Sequence, residues 1–241
     1  MTETATPRRA RLDQSVIVDA VLALASADPG ARITFKRLGE ALGVDATAMY
    51  RHFRNKEELT RAALDRVAGM AVADARAEPG SWRQRLERHL MRNAELSLLY
   101  PSVAADWALV DPGGPGDLAS DQHILETLHE GGLRGERLVR AYSAVSGFAL
   151  AQSAALAQEV LAGGEGAREG AIPWISSFGG ADLTEFPLVR EYRDELLAID
   201  GLAVYRAGVQ AILDSVERWA AEAADTADPA NPDAKGAERS V

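Results

Sequence analysis

Between Asp45 and Lys56 the chain places Ala46, Thr47, Ala48, Tyr50, Arg51 and His52 within one and a half turns of a short helix, with Lys56 opening the next. Short side chains at 46 and 48 let a helix backbone enter a DNA major groove, and hydroxyl, aromatic and cationic groups beside them reach base edges and phosphate oxygens. Tyr50, His52 and Lys56 lie toward the C-terminal side of that helix and the following N-terminus, where phosphate contacts are natural. Each of these residues alone is an ordinary surface or packing residue, and the group carries the reading.

Positioning such a set requires a supporting helix at close range. Thr34 is a candidate cap for a helix bearing Leu38, Ala41 and Leu42, and Gly43 supplies the left-handed backbone of a tight exit. Gly39 is small where a second helix must approach, while Val44 and Met49 are apolar and pack the second helix onto the first. The spacing predicts a helix-turn-helix. Upstream, Asp13 caps a helix with Val16, Ile17, Ala20, Val21 and Leu24 on one stripe, ended by Pro29-Gly30. Downstream, Asn55 and Glu58 make a capping-box-like start for a long helix from Lys56 to about Ala77.

The run TFKRLGEALGVDATAMYRHFRNKEEL strongly resembles the DNA-binding head of TetR-type (tetracycline-repressor-like) regulators, and the resemblance extends over about residues 12–70. It implies that Thr34, Tyr50 and Lys56 contact phosphates and that Lys36, Ala46, Thr47 and Arg51 read bases. Arg37, beside Lys36, and His52 complete the expected DNA-facing set. Ala46 and Ala48 depart from the longer polar residues of some members, so readout there rests on thymine methyl contact and groove fit. The resemblance also implies a homodimer on a palindromic operator, a small hydrophobic or amphipathic effector bound in the body, and repression relieved by that effector. Two recognition helices about 34–36 Å apart are what successive major-groove faces require.

Charge agrees with a DNA-facing head. The net charge is −10, but residues 1–66 hold eleven Lys/Arg against nine Asp/Glu, a balance of +2, and the remainder carries −12. Such a division orients the head toward phosphate and holds the body away.

The fold expected is all-α: a helix-turn-helix head over 13–60, and a helical effector-binding and dimerisation body over 61–224. A basic arm over 1–12 and a tail over 225–241 lack any apolar period and read as disordered. Body helices are predicted over Trp82–Leu99, through Trp107–Val110, over Leu118–Leu128, Gly135–Val160, Leu188–Ile199 and Val204–Ala223, with a loop at Asp111–Asp117. Small residues crowd one side of the Gly135–Val160 helix. Tyr142, Val145 and Ala151 on it, with Ile212, Leu213, Val216 and Trp219 on the last helix, form the expected dimer interface; burial against their own chain is the alternative. Bulky or polar side chains on the central helices, Met91, Tyr100, Trp107, His123, Tyr142 and Phe148, are the effector-pocket candidates, with Trp174 and Phe178 as a lid.

Enzymatic signals are poor. Gly163–Gly170 gives G-x-G-x-x-x-G, one residue off a dinucleotide fingerprint and following a helix where that fingerprint needs a strand, so it reads as a linker. His123 and His129, six residues apart, diverge by about 120° on a helix, which disfavours a shared metal. No cofactor, metal or catalytic residue is expected. There is no cysteine and no apolar run of about 18 residues or more, which predicts a cytoplasmic protein with no membrane partner. The alternatives are a DNA-binding regulator without a small-molecule effector, controlled by a protein partner, and, far less favoured, a helical enzyme.

Overall fold

The computed structural model describes residues 12–30, 32–162, 175 and 177–227. All regular elements among the described residues are helical. The head contains α1 (Gln14–Ala27), α2 (Phe35–Leu42) and a 3-10 helix (Ala46–Arg51), and α3 (Lys56–Ala77) leads into the body. The body continues with α4 (Trp82–Leu99), α5 (Pro101–Ala104), α6 (Pro115–Glu130) and α7 (Gly135–Ala162). After a 3-10 turn at Ser177–Gly179 come α8 (Pro187–Glu191), α9 (Arg193–Ala198) and α10 (Gly201–Ala227).

Side-chain caps fix the starts. Asp13, Thr34, Asp45 and Asn55 each accept a hydrogen bond from a backbone N–H two or three residues ahead, satisfying a donor the helix itself leaves unpaired. At α4, Ser81 and Gln84 form a reciprocal capping box. The single expected helix over 188–199 is instead two short ones, broken at Tyr192. The expected helix at Trp107–Val110 is a series of turns following α5.

Two apolar clusters hold the molecule. The first joins Ile17, Val21, Leu38, Met49 and Phe53 of the head to Leu59, Leu64 and Val67 of α3, then to Leu96, Trp107 and Ala157 of the body. The core is thus continuous across residue 60. Arg66 on α3 reinforces the junction by donating to Asp19 at 2.5 Å and to Ser15 at 2.8 Å, both on α1. The second cluster packs Leu86 and Leu90 of α4 with Ile124 and Leu128 of α6, Val145 and Leu156 of α7, and Tyr205, Val209 and Leu213 of α10. The Tyr205 hydroxyl, buried, donates to the Leu90 carbonyl at 2.9 Å. No described helix is long and apolar enough to cross a membrane.

Candidate DNA interface and body cavity

The turn between α2 and the 3-10 helix is set by two glycines. Gly43 adopts φ 65°, the left-handed region that side chains avoid. Gly39 lies under the following segment so closely that a Cβ there would sit 2.8 Å from the Val44 carbonyl oxygen and 3.1 Å from the Ala46 nitrogen. The second helix therefore rests on bare backbone.

That second helix is 3-10 rather than α, with the Ala48 N–H bonded to the Asp45 carbonyl and the His52 N–H to that of Met49. Three residues per turn align Ala46, Met49 and His52 on one edge, Thr47 and Tyr50 on another, and Ala48 and Arg51 on the third. Met49 is fully buried and Ala48 is half-buried against the same cluster, which leaves Thr47, Tyr50 and Arg51 outermost. The Thr47 hydroxyl and amide hold the Asp45 carboxyl below the usual carboxylate range, keeping the cap ionised. Gln14 on α1 donates to the His52 carbonyl at 2.8 Å and pins the segment's far end.

Thr34, Lys36, Thr47, Tyr50, Arg51 and Lys56 are exposed, and Ala46 and His52 half-buried. Because the Thr34 hydroxyl accepts from the Arg37 N–H, its own proton stays available to an outside acceptor. The Tyr50 ring stands edge-on to Phe35 with centroids 4.8 Å apart, which orients the phenol while leaving it outward. Arg51 and Lys56 make no ion pair among the described residues. Neither does Arg54, an exposed cation in the same rim that sequence reasoning passed over although it directly precedes the Asn55 cap. Arg37 is committed elsewhere: its guanidinium pairs with Asp28 at 3.3 Å, so its expected role as a DNA contact lacks structural support.

In the body, a cavity of about 430 Å³ lies among α3, α4, α6 and α7 under the loop following α5. Of the effector-pocket candidates, Trp107 and Tyr142 line it. The other described candidates do not. Met91 packs on the second apolar cluster, Tyr100 on the first, and Phe148 lies against Tyr205 with ring centroids 5.5 Å apart. His123 stacks edge-on to His89 with centroids 5.3 Å apart and accepts from Arg76 at 3.4 Å. Phe178 is half-buried away from the lining, and Trp174 lies outside the described residues. Residues that the sequence reading missed include Asn93 on α4, Asp117 and Ser120 on α6, and Asp111 in the loop. A stripe of polar residues four apart on the buried face of α4, His89, Asn93 and Ser97, is the signal that could have found the α4 wall.

The cavity is tied to the head through α3. Arg61 Nη1 donates to the Asp111 carbonyl at 2.5 Å, and Asp65 Oδ1 accepts from the Asp117 N–H at 2.9 Å. Gly116 lies so near the Asp65 backbone that any side chain there would collide with it. Of the expected interface residues, Val145, Leu213 and Val216 are spent on the chain's own core, a correction that follows from their complete burial. Ala151 is exposed, while Tyr142, Ile212 and Trp219 are half-buried.

Comparison with known proteins agrees with this geometry. Residues 17–63 match the family model of bacterial regulatory proteins of the tetR family. A curated HTH-type transcriptional regulator of Saccharopolyspora erythraea is 27% identical over 139 residues, 58% of this chain and 58% of that protein. A crystal structure of a candidate transcriptional regulator from Streptomyces coelicolor superposes with a TM-score of 0.61 at 29% identity, covering 87% of this chain and all of that one. The TetR family protein ActR of the same organism, solved in complex with actinorhodin, superposes with a TM-score of 0.66 at 20% identity, covering 88% of this chain and 99% of that one. Residues 17–63 thus form a helix-turn-helix head that matches the bacterial regulatory proteins of the tetR family, and the all-helical body behind it shares the fold of solved regulators of this kind.

Proposed function

We propose that the chain acts as a homodimeric repressor that grips a palindromic DNA operator with the rim from Thr34 to Lys56 and is released when a small hydrophobic or amphipathic molecule fills the body cavity. The observation that carries this reading is the pair of bonds from the cavity loop and the start of α6 to Arg61 and Asp65, because the same α3 begins with Lys56 at the DNA rim. A ligand that displaces the loop would move α3, and with it the spacing of two heads. ActR bound to actinorhodin supports the effector half of the reading.

Self-association has surfaces to use. Ala144, Gly147 and Ala151 on α7 and Ala207 and Ala211 on α10 are exposed, and a Cβ at Gly147 would meet nothing within 4 Å. Such faces permit close approach of helices from a second copy, with Ile212 and Trp219 beside them.

Selection of bound DNA from a random pool tests the proposal, with a palindrome recovered by a two-chain particle as the expected result. No enrichment at low salt, or a one-chain mass on the selected DNA, would sink it. Lys56→Ala should weaken binding to all sequences alike and lower the slope of log affinity against log salt by about one per protomer. A change confined to particular base pairs would instead assign Lys56 to readout.

Coupling has its own measurement. Arg61→Ala removes the bond to the Asp111 carbonyl while leaving the cavity lining intact. The variant should bind a cavity ligand nearly as before, yet show a several-fold smaller change in DNA affinity on adding it, since coupling free energies in such systems are about 1–3 kcal/mol. Undiminished coupling would show that α3 is driven from elsewhere.

A further inference from the structure

We propose that the cavity is built for a cationic amphipathic molecule, a protonated amine on an aromatic ring system, with its ammonium against Asp117 and Asp121 and its ring against Trp107 and Tyr142. The inference names the ligand class for the site to which an effector is assigned above, and rests on that assignment.

The charges lining the cavity are Asp111, Asp117 and Asp121, and no Lys, Arg or His stands among the lining residues. None of the three carboxylates, nor the adjacent Asp65, has an ion-pair partner among the described residues. What they receive is limited. Asp117 Oδ2 accepts from the Gly113 N–H at 3.2 Å, and Asp121 Oδ1 accepts from the Tyr142 hydroxyl at 2.8 Å. Burial first, and then Asp121, push the Asp117 carboxyl above its usual range, with Asp111 and Asp65 adding to the effect. A site in which carboxylates raise one another's cost of ionisation attracts a cation and repels an anion.

Two lining residues also carry polar atoms open to a ligand, an acceptor that suits the ammonium and a donor that suits an acceptor elsewhere on the molecule. Asn93 Oδ1 and Trp107 Nε1 are buried without a hydrogen-bond partner, on residues that are 7% and 5% exposed. Buried polar groups are normally satisfied, so an unpaired acceptor and an unpaired donor on one cavity are groups awaiting a ligand. The Asn93 amide nitrogen is already directed at His89 Nε2, 3.4 Å away, which leaves the oxygen to accept from an ammonium or other N–H. Ile124, Ala149 and Leu150 supply apolar wall, and the two aromatic rings offer faces that favour a cation as well as a flat ring. A bare metal ion fits less well, since no three His, Cys, Asp or Glu among the described residues are placed to share one.

Calorimetric titration of the DNA-free full-length protein with three compounds of one ring tests the assignment: 1-naphthylmethylamine, 1-naphthylmethanol and 1-naphthylacetate. The amine should bind about tenfold or more tightly than the alcohol, the value of one hydrogen bond to a charged group, with the acetate weakest. The double variant Asp117→Asn/Asp121→Asn should lose that preference while binding the alcohol as before, which separates the cavity from general attraction to an acidic protein. Equal or tighter binding of the alcohol or acetate, retention of the preference in the folded variant, or binding of none of the three would overturn the inference. If the variant does not fold, the order among the three compounds on the unaltered protein still decides. An amine that binds in this order but leaves DNA affinity unchanged would uphold the ligand class and refute the effector role, whereas an acetate that binds tightly and releases DNA would do the reverse.

Discussion

Gly39→Val should dismantle the head and lose DNA binding. Glycine inside an exposed helix ordinarily costs about 1 kcal/mol relative to alanine, so a substitution there would normally stabilise. Here the sign reverses, because the Cβ would stand 2.8 Å from the Val44 carbonyl oxygen and 3.2 Å from the Ala46 Cα, both backbone atoms. Neither can rotate away as a side chain would, so the 3-10 helix must lift off α2. Lifting it draws fully buried Met49 out of the core it shares with Leu38 and Phe53. The expected cost of overpacking is on the order of 3 kcal/mol, and Tyr50 and Arg51 move with the displaced segment. The melting temperature should fall, and affinity for selected DNA should drop by roughly two orders of magnitude at that cost. Gly39→Ala should show the same direction with smaller size. Gly180→Ala, where a Cβ meets nothing within 4 Å, should change neither quantity. A Gly39→Val protein that melts and binds like its parent would refute the close-packed turn.

The head was readable because its determinants are local. Asp13, Thr34, Asp45 and Asn55 act within two or three residues of themselves, and Gly43 acts at its own backbone. Such signals survive without knowledge of the rest of the molecule. The exceptions depend on distant partners or fine geometry. Arg37 is withdrawn by Asp28, nine residues earlier, and the 3-10 winding of Ala46–Arg51 follows from a six-residue segment pinned at both ends.

In the body, helical period placed α4, α6, α7 and α10 to within a few residues, yet the cavity was only partly legible. Its walls come from four helices and a loop, and no short window of sequence contains them. Large side chains were poor guides, because Met91, Tyr100 and Phe148 fill gaps between helices, whereas the cavity exists where small residues such as Ala68, Ser120 and Ala149 face one another. The Asp111–Asp117 stretch read as a plain loop, yet its last residues begin α6, and it supplies two of the three lining carboxylates and the link to Arg61.

Mild acid should loosen the same wall from behind. His89 is fully buried, its Nε2 within 2.9 Å of the Ser120 hydroxyl and near the Asn93 amide, so it backs two residues of the cavity lining. Burial, then the neighbouring His123, and to a smaller extent Arg76, hold His89 down to about 3, so the ring is neutral in the folded protein. His123 is lowered as well, by burial and then by Arg76. An unfolded chain takes up protons on such residues near pH 6.5, which the native state refuses until far lower pH. Stability is therefore complete above about pH 6.5 and falls as the pH drops toward 3, by about 1.4 kcal/mol per unit for His89 alone. At pH 5 the loss is about 2 kcal/mol, roughly 4–8 °C in melting temperature for a chain of this size. Glu159 works in the opposite direction, since burial and Asp200 raise its carboxyl to about 7 and its protonation relieves a cost as the pH falls. The parent's total slope mixes both signs, so the informative quantity is the difference between the parent and His89→Gln. That variant should start less stable at pH 7.5, because the buried ring is lost, but its melting temperature should decline less between pH 7 and 5. Parallel melting curves for the two proteins across that interval would show that His89 is not the group that titrates on unfolding.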